Sequence, residues 1–259
     1  DGCNRHVLID ECRELFGEIY EQIPELPFCN IWTAMQLSSR LPKGALFHMG
    51  VSNTRRCWNM FQLPESVESA CNVGCCGIDG CVSTLVGASL VNPDRLCYVV
   101  VGDLTFFYDL NSLGNHHIGT NLRVMLVNNG RGTEFRLGIH HCNVFGDDAD
   151  KYMAAAGHFG NKSPLLVKHY AEDLGFHYLS ATTKEEFMTA LSNFTNPQLS
   201  DHSMILEVFT DSKDESEALY LMSHIQSDAK GMVRSKLKDA VRNVAGEKGI
   251  NAIKKILKK

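Results

Sequence analysis

Val99-Val100-Val101-Gly102-Asp103-Leu104-Thr105-Phe106-Phe107-Tyr108-Asp109-Leu110-Asn111-Ser112-Leu113, then Leu122-Arg123-Val124-Met125-Leu126-Val127-Asn128-Asn129-Gly130, is the stretch that decides how this chain folds. An apolar strand runs into Gly102-Asp103, a helical stretch follows, and a second apolar strand ends in Asn-Asn-Gly. The acid and the amides thus stand at the carboxyl ends of two strands joined by a crossover helix, where open α/β sheets bind their ligands. A carboxylate with an amide carbonyl is a hard oxygen set, suited to Mg²⁺ or Ca²⁺ carrying a phosphate group.

Working outward, the pattern alternates. Helices are expected over 7–22 (Leu8, Cys12, Leu15, Phe16 and Ile19 at helical spacing) and over 30–40, between Pro27 and Pro42. A buried strand over 45–49 ends at Gly50, a helix runs from the Ser52-Asn53 loop through Phe61, and a short strand lies near 69–71. The loop Gly74-Cys75-Cys76-Gly77 leads into a helix over 79–90, with Asp79 as a helix-start residue. Residues 131–146 read as a loose connection of the kind that often covers a site. Helices are expected at 149–156, 165–174, 184–194 and 215–225, and strands at 177–179 and 204–209. Strands separated by helices predict an α/β fold: a mostly parallel sheet with helices on both faces, over residues 1–225.

From Gln226 the composition shifts. Ten basic residues (Lys230, Arg234, Lys236, Lys238, Arg242, Lys248, Lys254, Lys255, Lys258, Lys259) face three acids (Asp228, Asp239, Glu247). Leu237, Val241, Val244, Ile250, Ile253, Ile256 and Leu257 recur every three or four positions, as in two short amphipathic helices. Residues 226–259 are therefore read as a basic helical tail. Its apolar stripe would dock on a neighbouring copy in a homo-oligomer, ahead of contact with anionic lipid or nucleic acid.

A net charge of −5 argues against general nucleic-acid binding. No apolar run approaches the roughly 20 residues that span a bilayer. The start Asp1-Gly2-Cys3-Asn4-Arg5-His6 has neither Met nor a signal pattern, as expected of a trimmed fragment. Ten cysteines sit mostly in apolar segments, as Cys81 and Cys97 do, and read as small hydrophobes of a reduced, cytoplasmic protein rather than a disulfide framework. Cys71, Cys75, Cys76 and Cys81 match neither zinc-knuckle nor ferredoxin spacing. Of the doubled histidines, His116-His117 fits a helix end, while His140-His141 lies where it could reach a substrate.

The run from Gly102 through Leu113, with Asn128-Asn129-Gly130, resembles the diphosphate-binding signature of thiamine diphosphate-dependent enzymes. Leu104 after the Asp, and Cys76-Gly77-Ile78-Asp79-Gly80 upstream, resemble the menaquinone-pathway branch that joins 2-oxoglutarate to isochorismate. The resemblance covers roughly residues 30–225. It implies Mg²⁺ held by Asp103, Asn129 and the backbone carbonyl of Arg131, and a diphosphate meeting amides near Gly102, Leu104 and Thr105 at a helix start. Gly102 would let the chain turn sharply beside the phosphates. Ile78 matches the apolar prop that bends the cofactor, its alternative being an ordinary core residue; the Cys76 carbonyl matches the acceptor for the exocyclic amine. Gly50-Val51-Ser52-Asn53-Thr54-Arg55-Arg56 resembles the loop presenting a Ser and an Arg, here Ser52 and Arg56, to a substrate carboxylate, unless the arginines simply face solvent. A second arginine of that branch falls on Val73, so one substrate-holding cation is absent.

These enzymes cradle the cofactor between two domains, and the resemblance covers only the diphosphate-binding one. The pyrimidine-binding domain, with its activating Glu, would lie in a missing part of the chain or in a second subunit. The expectation is therefore a domain of a 2-oxo acid decarboxylase or carboligase, inactive alone. The alternatives are a natural small subunit of a two-chain decarboxylase or oxidoreductase, and a non-catalytic phosphate-binding module.

Overall fold

The computed structural model describes residues 3–74, 76–137, 140–153 and 163–225. The tail beyond 225 and the end of the helix expected at 149–156 lie outside these residues. The chain groups into one compact unit, Phe28–Ser216, and a second made of Asp1–Pro27 with Glu217–Lys259.

The larger unit is built on six strands: β1 (Leu46–Met49), β2 (Glu68–Cys71), β3 (Cys97–Gly102), β4 (Leu122–Asn128), β5 (His177–Ala181) and β6 (Met204–Phe209). They form one sheet in the order β2-β1-β3-β4-β6-β5, every pair parallel. The strands inside the sheet are apolar runs because both their faces are covered. On one face, Cys97, Val99 and Val101 of β3 and Leu122, Val124 and Leu126 of β4 pack with Cys81, Val82, Leu85 and Val86 of α4 (Cys81–Val91). Val167 and Ala171 of α7 (Leu166–Asp173) complete that cluster. On the other face, Tyr98 meets Phe194 of α8 (Lys184–Phe194) and Phe47 meets Trp58 of α3 (Asn53–Trp58). Trp32 of α2 (Asn30–Leu37) packs edge-on to Phe187 of α8. Cys81 and Cys97 are fully buried, as their apolar neighbours suggest, and Cys12, Cys29, Cys57, Cys71, Cys76 and Cys142 are, like them, free thiols.

Several boundaries moved. α4 begins at Cys81, two residues later than expected, and its first turn is capped from another element: Asp109 accepts from the Ser83 amide at 2.7 Å and its hydroxyl at 3.0 Å. Asp79 is thus not the capping group. The segment read as loose holds two stretches of 3₁₀ helix, Thr133–Arg136 and His141–Asp148, before α6 (Ala149–Met153). In the smaller unit, α1 (Cys3–Glu21) forms where its periodicity predicts, yet Leu8, Leu15 and Phe16 are exposed.

Two buried acids brace the strand ends. Glu207 of β6 accepts from Asn128 Nδ2 and from the Tyr178 hydroxyl, each at 2.7 Å, which ties the tip of β4 to β6 and β5. Glu215 lies on α9 (Ser212–Ser223) and receives the Asn30 amide at the start of α2 and the Thr210 hydroxyl.

Burial pushes the Glu215 carboxyl up to about 7, against the hydrogen bonds from Thr210 and Asn30 that favour its charged form. The folded state therefore keeps this proton between about pH 4.5 and 7 while the unfolded chain loses it, so the group's contribution falls as pH rises through that window. Glu215→Gln should gain on wild type by on the order of 3 kcal/mol across that window in denaturant titrations, and a pH-independent difference would refute this. Glu207→Ala should cost roughly 1–3 kcal/mol for each partner it strands, Asn128 and Tyr178, measured by the same unfolding experiment.

Candidate functional site

The strand order sets the location. From β1 the chain passes outward to β2, and from β3 it passes to β4 on the other side, so a topological switch point lies between β1 and β3. The residues assigned from the sequence to the cofactor and substrate site lie at or after the carboxyl ends of four adjacent strands. Ser52 and Arg56 follow β1, Cys76 and Ile78 follow β2, Gly102 ends β3 with Asp103 to Thr105 after it, and Asn129 and Arg131 follow β4. The histidine pair His116-His117 precedes β4 and so belongs to the opposite edge, its rings 3.8 Å apart between centroids.

After β3, Gly102 takes the N-cap position of the short helix α5 (Asp103–Tyr108), with φ −79° and ψ 168°. This is ordinary extended backbone, so the turn itself does not demand glycine. What glycine leaves is room: a Cβ there would meet no atom within 4 Å. Asp103 is buried, and its Oδ1 accepts from the Leu104 amide at 2.7 Å. One amide expected to face a diphosphate is thereby engaged with the acid beside it. Thr105 is buried as well.

The β3–β4 ladder runs in register to Gly102↔Val127, which sets Asp103 and the Asn128-Asn129 pair at neighbouring strand tips. Asn129 Oδ1 accepts from the Arg131 amide at 3.3 Å, closing the turn through Gly130 (φ 80°). The two loops also touch: a Cβ on Gly132 would come within 3.1 Å of Leu104 Cδ1. Arg131 Nη1 lies 3.2 Å from Asp150 Oδ2.

After β1, Ser52 has φ 61° and ψ −126°, a strained conformation for a residue with a Cβ. In the same cluster, Arg56 Nη1 stands 2.7 Å from Glu134 Oε1. Partial burial would raise the Glu134 carboxyl, but the hydrogen bonds from Ser52 and Arg56 and the charge of Arg56 hold it below the ordinary carboxylate range. His140 also faces this cluster: its ring packs edge-on to Phe135, 5.3 Å between centroids. After β2, Cys76 has φ 51° and its thiol reaches the Val73 carbonyl, while Ile78 is half-buried and outside the core. At the end of β1, burial lowers the His48 imidazole, which pairs with Asn72 Oδ1 at 2.5 Å.

Three buried side-chain oxygens without a hydrogen-bond partner among the described residues lie at this edge, Asn53 Oδ1, Asn128 Oδ1 and Thr133 Oγ1, and further such groups lie elsewhere, Tyr220 Oη and Arg123 Nε. Such atoms in a native fold call for an explanation, and a bound polar group is one. The donor set fits a hard divalent cation shared with a phosphate better than an all-protein cage, since only one carboxylate is present. No group of three His, Cys, Asp or Glu side chains able to hold a metal occurs among the described residues. Cys75 of the cysteine cluster lies outside the described residues.

Sequence reasoning missed Glu134 and Glu207. Glu207 carried a signal, a lone acid inside the apolar strand Met204–Phe209. Glu134 carried none beyond lying close after the Asn-Asn-Gly turn, because its partners are some 80 residues away in sequence.

No protein-family model matches the chain. Similarity to curated proteins is clear, however. The chain is 34% identical over 196 residues to 2-succinyl-5-enolpyruvyl-6-hydroxy-3-cyclohexene-1-carboxylate synthase of Bacteroides fragilis, which covers 76% of this chain and 34% of that protein. It is 34% identical over 200 residues to the synthase of Phocaeicola vulgatus, covering 76% and 34%. To that of Christiangramia forsetii it is 33% identical over 199 residues, covering 77% and 33%. The chain thus spans about a third of the length of the relatives it matches. Over three quarters of its own length, this chain is a sequence relative of the 2-succinyl-5-enolpyruvyl-6-hydroxy-3-cyclohexene-1-carboxylate synthases.

Proposed function

We propose that this chain is the diphosphate- and metal-binding domain of an enzyme that uses thiamine diphosphate and Mg²⁺. That enzyme decarboxylates a 2-oxo acid and passes the acyl unit to an acceptor. The observation that carries the reading is the convergence of the loops after β2, β1, β3 and β4 at one edge, beside the switch point, with Asp103 and Asn129 at adjoining tips. The unpartnered oxygens of Asn53, Asn128 and Thr133 and the open space above Gly102 support it, as does the relationship to the synthases.

In this reading Asp103, the Asn129 side-chain oxygen and the Arg131 carbonyl hold the metal. The Asn129 oxygen keeps a second lone pair beyond the one used by the Arg131 amide. Gly102, Leu104 and Thr105 line the diphosphate, the Cys76 carbonyl receives the exocyclic amine, and Ile78 shapes the cofactor. Ser52 and Arg56 line the substrate end. When bound, thiamine diphosphate supplies the electron sink for loss of CO₂, and the chain supplies position, charge and exclusion of water. The activating Glu comes from a pyrimidine-binding domain, on the remainder of a longer chain or on a second subunit, in a cytoplasmic homo-oligomer. No helix among the described residues is long and apolar enough to cross a membrane.

Calorimetry with thiamine diphosphate and Mg²⁺ should give a saturable heat for wild type, abolished by EDTA and weakened at least about 10- to 100-fold by Asp103→Ala. Equal heats for the two proteins would overturn the assignment. With the activating Glu elsewhere, the purified chain should release no CO₂ from any 2-oxo acid; measurable release would show that the catalytic group is already present.

A further inference from the structure

Two cations of this edge, Arg56 and Arg131, stand beside carboxylates of the chain itself, while the neighbouring Arg55 is exposed. Arg56 Nη1 lies 2.7 Å from Glu134 Oε1, and the Arg131 guanidinium lies 3.2 Å from Asp150. The Ser52 hydroxyl is drawn to the same Glu134 carboxylate. The Glu134 side chain is 18% exposed and that of Arg56 37%. Val73, in the loop after β2, adds an exposed apolar side chain and no charge.

A guanidinium presents its donors in a fixed fork that one carboxylate fills. Here an internal carboxylate stands against one nitrogen of that fork, in the place a ligand would otherwise reach. A second carboxylate arriving from solvent would meet Glu134 as well as Arg56, and like charges at short range repel. An uncharged hydroxyl or carbonyl group carries no such penalty and could still hydrogen-bond to Ser52.

We infer that Glu134 is a specificity-determining residue, which makes the Ser52–Arg56 end of the site select a ligand whose group there is uncharged rather than a carboxylate. This rests on the proposed reading in one respect, that the Ser52–Arg56 end faces substrate. It goes beyond that reading in giving the place of a substrate carboxylate to Glu134.

The test uses this chain labelled with ¹⁵N at arginine, following the Arg56 Nε–H resonance, which Arg56→Met identifies by its loss. Succinate is the anionic probe and succinamide its uncharged counterpart, at matched ionic strength. In wild type, succinate should move the resonance no more than chloride does. Glu134→Gln, which keeps the shape and removes the charge, should acquire saturable succinate binding at least tenfold tighter than succinamide binding. Glu134→Gln combined with Arg56→Met should lose that gain by the heat of binding. Saturable succinate binding by wild type, as tight as by Glu134→Gln, overturns the inference without reference to any variant's folding. So does a folded Glu134→Gln protein with no preference for succinate. Titrating the same samples with thiamine diphosphate and Mg²⁺ separates the two claims. No heat in any sample, with the succinate gain intact, sinks the cofactor reading alone; cofactor heat without the gain sinks only the role of Glu134.

Discussion

The parallel register that runs unbroken through β1, β3, β4 and β6 is the constraint on which the site depends. Met49 pairs with Val100, Gly102 with Val127, and Asn128 with Phe209. Because side chains alternate with period two along a strand, a slip of one residue would turn the apolar inner positions of β3 and β4 to the wrong face. The two-sided apolar cover makes such a slip costly. The same ladder therefore fixes how far each strand projects: β3 runs two residues past its last pairing with β1, and β4 runs one residue past its last pairing with β3. The tips form a stair, and each step carries a different part of the site.

Those tips are held from below by polar groups that would be liabilities elsewhere. Glu207 sits inside an otherwise apolar strand, and burial raises its carboxyl while Asn128 and Tyr178 donate to it. The net stability such a network adds is small, because desolvation offsets much of its electrostatic gain. What it supplies is direction: Asn128 cannot rotate without abandoning a buried acceptor, so the turn that carries Asn129 starts from a fixed point. Asp109 does the same for α4, capping it from the far end of α5 and so coupling the loop after β2 to the helix after β3.

Much of the frame was legible in the sequence, for a physical reason. Continuous apolar runs such as Leu122–Val127 are what a strand covered on both faces requires, and the helices between them leave a parallel sheet as the available solution. The acid and the amides at two of these strand ends could be placed because their positions are local to the strands. Gly102 differs from the expectation of a sharp turn, since its backbone is ordinary extended chain with open space around it. α1 shows a further limit: spacing predicts the helix but does not say what, if anything, its apolar residues meet. Glu134 was illegible because its meaning lies in an ion pair to Arg56 across the fold, and no local pattern encodes a contact of that range.

Two independent kinds of cost are concentrated at the same edge. Among the described residues, the non-glycine positions with positive φ are Ser52 and Cys76, in the loops after β1 and β2. The unpartnered buried oxygens of Asn53, Asn128 and Thr133 lie in or beside the loops after β1 and β4. Backbone strain and unmet hydrogen bonds arise from different physics and have no reason to coincide in a region shaped only for stability. At the opposite edge the buried Arg123 Nε, near the start of β4, also has no hydrogen-bond partner among the described residues, but no non-glycine residue with positive φ accompanies it. A sheet whose register is so firmly fixed can tolerate these costs at its carboxyl ends, since the core beneath does not depend on the loops. That separation lets one edge be shaped for a ligand while the other face of the problem, the stability of the fold, is solved by Val, Leu and Ile.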